Sequence, residues 1–223
     1  MGDSVILYSY WRSSCAYRVR IALHWKGIEY EYRAVDLNAG ADAGQFAGEY
    51  RALNPSTEVP TLCIDGQVLA QSVAICEYLE ETHRGRGVSL FPTDAVARAQ
   101  VRRAVELINS GIQPLQNARV VKRVRELAGA GAQAEWTKEW IRFGLQALET
   151  VVARSWQGGP YCFGTEVTMA DVFLMPQAYS SERFGVSMTD YPTLNRIVQN
   201  LHKLPAFAAA HPDRQPDAPR PGA

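Results

Sequence analysis

The spacing of apolar residues changes character once along the chain, and that change limits the folds open to it. Up to about residue 83, short apolar runs alternate with helical stretches; beyond Pro92 the spacing is helical almost throughout. Residues 4–9 (SVILYS) read as a buried strand and residues 29–35 as a second. Between them Cys15, Val19, Ala22 and Leu23 recur at helical spacing over 14–26, and Gly27 supplies a left-handed stop. A short helix follows over 44–51. Residues 61–64 and 67–70 then form a hairpin about Asp65-Gly66, and Ser72 opens a third helix that runs to about Thr82. The order β-α-β-α-β-β-α is that of a small mixed-sheet α/β unit.

Residues 82–92, THRGRGVSLFP, are rich in glycine and basic side chains and form a natural boundary. Beyond it the periodicity predicts helices over 94–124, with Gly111 and Pro114 breaking the middle, and over 135–155, 169–184 and 191–201. Thr168-Met-Ala-Asp171 reads as a capping box, with aspartate in the usual glutamate position. Asp171 is therefore expected to serve the fold and not the chemistry. The last residues, HPDRQPDAPRPGA, hold four prolines and little apolar content, which predicts no structure. The expected organisation is an α/β domain over 1–83, a linker over 84–92, an all-helical domain over 93–210 and a flexible tail over 211–223.

Composition narrows the function classes. The 23 basic and 23 acidic residues balance, so no global field favours nucleic acid or an anionic membrane, and any anion recognition must be local. Four cysteines, Cys15, Cys63, Cys76 and Cys162, show no CxxC pair and no zinc-like spacing. Free thiols, no expected metal site, no N-terminal signal pattern and no long apolar run point to a cytoplasmic protein that does not span a membrane.

Four stretches could carry chemistry. Ser13-Ser14-Cys15 stands at a helix start flanked by Arg12, Arg18 and Arg20. A serine there is an N-cap, and the same geometry offers amides and a hydroxyl to an anion. Glu58-Val59-Pro60 precedes a strand and reads as a turn; a cis bond would turn the Val59 backbone outward to pair with a peptide. Gln71-Ser72 opens the third helix, where a carboxylate could find amides and a hydroxyl. Residues 111–117, GIQPLQN, read as a helix kinked by Pro114 and polar in patches.

Taken together, WRSSCAYRVRIAL, ALNPSTEVPTL, QSVAICEYLEE, GIQPLQN and FGTEVTMADVFLMPQ closely resemble the zeta-class glutathione transferases, and within them the maleylacetoacetate isomerases. The resemblance runs from about residue 6 to residue 217. It implies a thioredoxin-like N-terminal domain that binds glutathione, an all-α C-terminal domain (the glutathione transferase fold) and a homodimer. It further implies that Ser13 activates the thiol, with Ser14 and Cys15 beside it. Val59, before a cis Pro60, would pair with the tripeptide backbone. Gln71 and Ser72 would hold its γ-glutamyl end, with Gln45, Gln113 and Asn117 as further contacts. The loop before Gln45 departs from the family pattern. Arg119 stands where relatives that isomerise maleylpyruvate tend to carry an arginine.

The chemistry explains the cations. A free thiol titrates near pKa ~8.5, and lowering that by about two units needs about 2.7 kcal/mol of preferential thiolate binding. Hydrogen bonds to charged groups, at roughly 1.5–3 kcal/mol each, can supply it. Reversible addition of the thiolate turns a conjugated double bond into a single bond that rotates freely, so glutathione is regenerated. A maleyl-type dicarboxylate also needs cations. Arg12 is the leading candidate, with Arg183 for the far carboxylate and Arg119 as a third, whereas Arg18 and Arg20 are as readily structural. The rival readings are a transferase or dehalogenase acting on small α-halo acids, and a non-catalytic module of the same fold.

Overall fold

The computed structural model describes residues 4–39, 43–155 and 158–219. They divide into two compact units. One holds the described residues up to Val88 together with those from Pro205 onward, and the other is Ser89–Leu204.

The first unit is built on a four-stranded sheet: β1 (Ile6–Ser9), β2 (Glu31–Ala34), β3 (Thr61–Ile64) and β4 (Gln67–Ala70), in the order β2-β1-β3-β4. β1 runs parallel to β2, and a parallel pair requires a crossover. Helix α1 (Ser14–Trp25) provides it. It starts at the Ser13 cap and ends before Gly27, whose φ of 60° is the left-handed conformation expected there. β1–β3 and β3–β4 are antiparallel, and Asp65 and Gly66, at φ 52° and 71°, close the tight hairpin. The predicted helix over 44–51 is a 3₁₀ turn, Gly44–Phe46, followed by α2 (Gly48–Leu53). Ala16, Val19 and Leu23 of α1 are buried, as are Ile75 and Leu79 of α3 (Ser72–Thr82), which packs against it. A buried Lys26–Glu80 ion pair at 2.7 Å ties the ends of these two helices.

The second unit contains α4 (Ala95–Glu106), α5 (Ala118–Ser155), α6 (Met169–Arg183) and α7 (Pro192–Leu201). Asp94 caps α4 by accepting from the Ala97 amide at 2.8 Å. The predicted helix over 94–124 ends early: a π-helical turn, Leu107–Ile112, follows α4, and α5 begins afresh after Asn117. α5 also spans residues left between the two predicted helices, because alanines favour the helix there; it is interrupted at Gly129, with φ 87°. Gly144 permits its close approach to the π turn, since a Cβ there would lie 2.2 Å from Ile112 Cγ1. α6 is buried along almost its whole length.

The C-terminal expectations need correction. α8 (Pro205–Ala209) belongs with the first unit, where it packs on α1. The tail expected to be flexible forms a 3₁₀ turn, Pro212–Arg214, and residues 211–219 are otherwise arranged by hydrogen bonds. Only residues 220–223 of that tail lie outside the described residues. Composition misleads here because polar groups, not apolar burial, hold the segment. Arg20 Nε donates to the Ala210 carbonyl at 3.1 Å, and the buried Gln215 amide donates to the Ala209 and His211 carbonyls at 3.1 and 2.8 Å. Among the described residues no helix is long and apolar enough to cross a membrane.

Candidate active site

The strand register brings three of the four candidate stretches to one end of the sheet. Tyr8 on β1 is opposite Thr61 on β3, and Thr61 is opposite Ala70 on β4. One residue further, at the same end, come Ser9, Pro60 and Gln71. Helices α1 and α3 both start there, so two sets of first-turn amides share one edge.

The β1–α1 connection is a turn over residues 10–13, closed by the Ser13 amide donating to the Tyr10 carbonyl at 3.0 Å. Ser13 is the N-cap of α1, and its Oγ accepts from the Ala16 amide at 3.2 Å. A hydroxyl that accepts a bond still has its own proton to donate. The cap and a donor role are therefore compatible in one side chain. Ser14, Cys15 and Arg12 are partly buried, and the Arg12 guanidinium lies over the Trp11 ring, 5.3 Å from its centroid.

Arg20 holds this turn from beneath. It is fully buried and donates to Ser9 Oγ (3.1 Å) and to the Tyr10 and Trp11 carbonyls (3.3 and 3.0 Å). Burial pulls its pKa down from the ordinary value.

The Val59–Pro60 bond is cis, the form the sequence alone left open. The loop before it is fixed by Asn54, whose Nδ2 donates to the Glu58 carbonyl and Thr61 Oγ1 at 2.8 and 3.0 Å while Oδ1 accepts from the Ser56 amide and hydroxyl. Tyr50 Oη donates to the same Glu58 carbonyl at 2.5 Å. Val59 packs with Tyr50 and Val35 beside Tyr8 and Tyr10. Gln45 sits in the 3₁₀ turn and donates to the Leu37 carbonyl at 3.4 Å; of the alanine- and glycine-rich loop before it, residues 40–42 lie outside the described residues.

Gln71 has φ 70° and ψ 118°, a conformation that L residues rarely adopt. Such positions cost about 1–3 kcal/mol and persist only where the surroundings impose them. Replacing Gln71 by glycine is expected to stabilise the fold by about 1 kcal/mol, read as a rise of about 2–4 °C in melting temperature. Ser72 is buried, and its Oγ accepts from Arg18 Nη1 at 3.1 Å, a bond that ties α1 to the start of α3.

The remaining candidates lie in the second unit. Asn117 caps α5, its Oδ1 accepting from the Arg119 amide at 3.0 Å. Gln113 Oε1 accepts from Gln116 Nε2 at 3.0 Å. Gln116 and the fully buried Gln177 exchange amide bonds at 3.1 and 3.2 Å, and Gln177 donates on to Ser181 Oγ. Arg119 and Arg183 are both exposed. Arg183 stacks on Phe184 at 4.6 Å and complements the C-terminal end of α6. Arg119, in the first turn of α5, opposes the helix dipole, so the helix itself gives no reason for a cation there.

Burial pushes the Cys63 and Cys162 thiols up, and the Cys76 thiol up to about 12, so none is poised as a nucleophile. The residues that hold this end of the sheet and that sequence reasoning passed over are Asn54 and Tyr50 before Pro60, and Tyr32 and Asp217, whose carboxylate accepts from the Trp11 amide. Only Asn54 carried a local signal, as an asparagine before Pro-Ser-Thr where Asx turns form.

Residues 12–82 match the family model of the glutathione S-transferase N-terminal domain. A maleylacetoacetate isomerase of Mus musculus is 49% identical over 216 residues, covering 96% of this chain and 95% of that protein. The crystal structure of maleylacetoacetate isomerase from Anaeromyxobacter dehalogenans 2CP-1 with bound GSH in the active site is 47% identical, covers 97% of this chain and 98% of its own, and has a TM-score of 0.85. A second structure of that enzyme holds dicarboxyethyl glutathione and citrate. A maleyl pyruvate isomerase, a bacterial glutathione S-transferase in zeta class, is 38% identical over 96% of this chain and 100% of its own, with a TM-score of 0.90. The sheet order, the capped serine at the head of α1 and these relatives converge: the chain belongs to the zeta-class glutathione transferase family, in which the maleylacetoacetate isomerases fall.

Proposed function

We propose that the protein is a glutathione-dependent cis–trans isomerase of maleyl dicarboxylates, acting on maleylacetoacetate. The observation that carries this reading is the Ser13 hydroxyl, which caps α1 through its lone pair and keeps its proton for a sulfur anion at the helix start. The bound ligands of the Anaeromyxobacter enzyme support it. Dicarboxyethyl glutathione is glutathione whose sulfur carries a four-carbon dicarboxylate, the kind of adduct that thiolate addition to a maleyl double bond would leave.

Glutathione fits the residues present: two helix starts share one sheet edge with a backbone turned at a cis proline and a polar side chain in an imposed conformation. When bound, it supplies a thiolate that adds to the conjugated double bond and leaves once rotation has occurred. Ser13 donates to the sulfur, and the amides of Ser14 and Cys15 add the positive end of α1. Val59 pairs with the tripeptide backbone, while Gln71 and Ser72 hold its γ-glutamyl carboxylate. Gln45, Gln113 and Asn117 are further polar contacts. Arg12, Arg183 and Arg119 neutralise substrate carboxylates and the charge that develops as the double bond is lost. The glycine variant of Gln71 is then expected to weaken glutathione binding while it stabilises the fold. The same reading takes the protein as a cytoplasmic homodimer, on the resemblance to its family.

The decisive measurement uses a maleyl substrate with catalytic glutathione. Accumulation of the trans product with glutathione unconsumed is expected. Stoichiometric loss of glutathione would make the protein a conjugating transferase instead. Arg119, together with the match to a maleylpyruvate isomerase, favours a second substrate. A kcat/KM for maleylpyruvate above that for maleylacetoacetate, abolished by Arg119→Ala, would make it the preferred one.

A further inference from the structure

The C-terminal tail reaches the turn that presents Ser13. Asp217 Oδ2 accepts from the Trp11 amide at 2.9 Å, and Oδ1 accepts from Tyr32 Oη on β2 at 2.6 Å. Trp11 is the first central residue of the turn over 10–13, and its carbonyl is the one taken by Arg20 Nη2. The Trp11 backbone is thus gripped at its carbonyl by a buried guanidinium on α1 and at its N–H by a carboxylate that comes from 206 residues away in sequence. The tail is in turn folded back on the end of α8 by Gln215, and Arg20 on α1 holds the Ala210 carbonyl just before it.

We infer that Asp217 is a positioning residue for catalysis: its carboxylate sets the turn that aims the Ser13 hydroxyl and Arg12. The inference rests on the proposed role of Ser13 as donor to the glutathione sulfur. Three features support it. Both carboxylate oxygens are engaged, so the group is held from two directions. Tyr32 remains a donor, because burial and then the bond to Asp217 push its hydroxyl well above the ordinary value. And the backbone of the turn is fixed to the scaffold by Arg20 and Asp217, its closing bond being internal.

Positioning and simple charge make opposite predictions. A carboxylate near a thiolate raises the thiol pKa by repulsion, so removing the charge alone would lower it. Losing the anchor would raise it, because the Ser13 donor and the helix-start amides would be misaimed. The experiment is an ultraviolet titration of bound glutathione thiolate, with kcat/KM and melting temperature, in wild type, Asp217→Ala and Asp217→Asn. Asp217→Ala is expected to move the bound thiol pKa up by roughly one unit and to lower kcat/KM roughly tenfold. Asp217→Asn keeps an oxygen acceptor for the Trp11 amide and removes only the charge, so its bound thiol pKa is expected at or below the wild-type value, with kcat/KM retained.

A lowered melting temperature with an unchanged thiol pKa in Asp217→Ala would overturn the inference, and so would a lowered pKa. Should the alanine variant not fold, Tyr32→Phe tests it, since it frees one carboxylate oxygen; an unchanged pKa and kcat/KM there would overturn it too. Failure of the functional reading is separately visible, as a wild-type thiol that titrates like free glutathione.

Discussion

Asp171→Ala is expected to destabilise the protein by about 3–5 kcal/mol, a fall of roughly 8–15 °C in melting temperature. The side chain is completely buried. Oδ1 accepts from the Cys162 amide at 2.9 Å, and Oδ2 accepts from the Thr168 amide and hydroxyl at 2.8 and 2.9 Å. Burial raises its pKa above the ordinary carboxylate value, and the bonds from Cys162 and Thr168 pull it back. A surface capping residue contributes about 1 kcal/mol. Here two backbone donors would lose their acceptor inside the protein, and each buried group left unpaired costs roughly 1–3 kcal/mol. The helix that starts at this box, α6, is buried along nearly its whole length, so its entry cannot relax into solvent. Fully folded variant, isolated at low temperature, is expected to retain its kcat. A normal melting temperature with activity abolished would instead make Asp171 a catalytic group.

The parts of this fold that could be read from sequence are those governed by neighbours within a few positions. The Ser13 cap, the Gly27 stop, the Asp65-Gly66 turn and the Thr168–Asp171 box all follow from short-range hydrogen bonding and backbone sterics, and all are present. Three of the candidate stretches were legible to the same depth: the serine, the turn at Val59-Pro60 and the start of α3 are each local signals that strand pairing brings to one end, while the cis form of the Val59–Pro60 bond was left open by the sequence. What escaped depends on partners far along the chain. The tail holds four prolines and was expected to be flexible, because its order comes from Arg20, Trp11 and Tyr32, some two hundred residues earlier. Arg20 itself reads as an ordinary basic residue of the signature. It is tolerated in full burial because three carbonyls and a hydroxyl accept its protons. The Gln116–Gln177 amide pair joins residues 61 apart and leaves no periodic trace.

Ser13 offers the sharpest separation of structure from chemistry, because its two roles use different parts of one hydroxyl. As a cap it accepts from the Ala16 amide; in the activating role proposed for it, it donates to sulfur. Ser13→Ala removes both, and is expected to lower kcat/KM by roughly 10- to 150-fold, the equivalent of one hydrogen bond of about 1.5–3 kcal/mol to a charged acceptor. It should also cost about 1 kcal/mol of stability, a fall of about 2–4 °C in melting temperature. Ser13→Gly separates the two, since glycine replaces a serine cap at a loss of only a few tenths of a kcal/mol. The glycine variant is therefore expected to melt almost as the wild type does and yet to lose as much activity as the alanine variant, with the thiol of bound glutathione titrating higher in both. Were Ser13→Gly to keep wild-type kcat/KM, the hydroxyl would be a cap and nothing more, and thiolate stabilisation would fall to the amides of Ser14 and Cys15 at the head of α1.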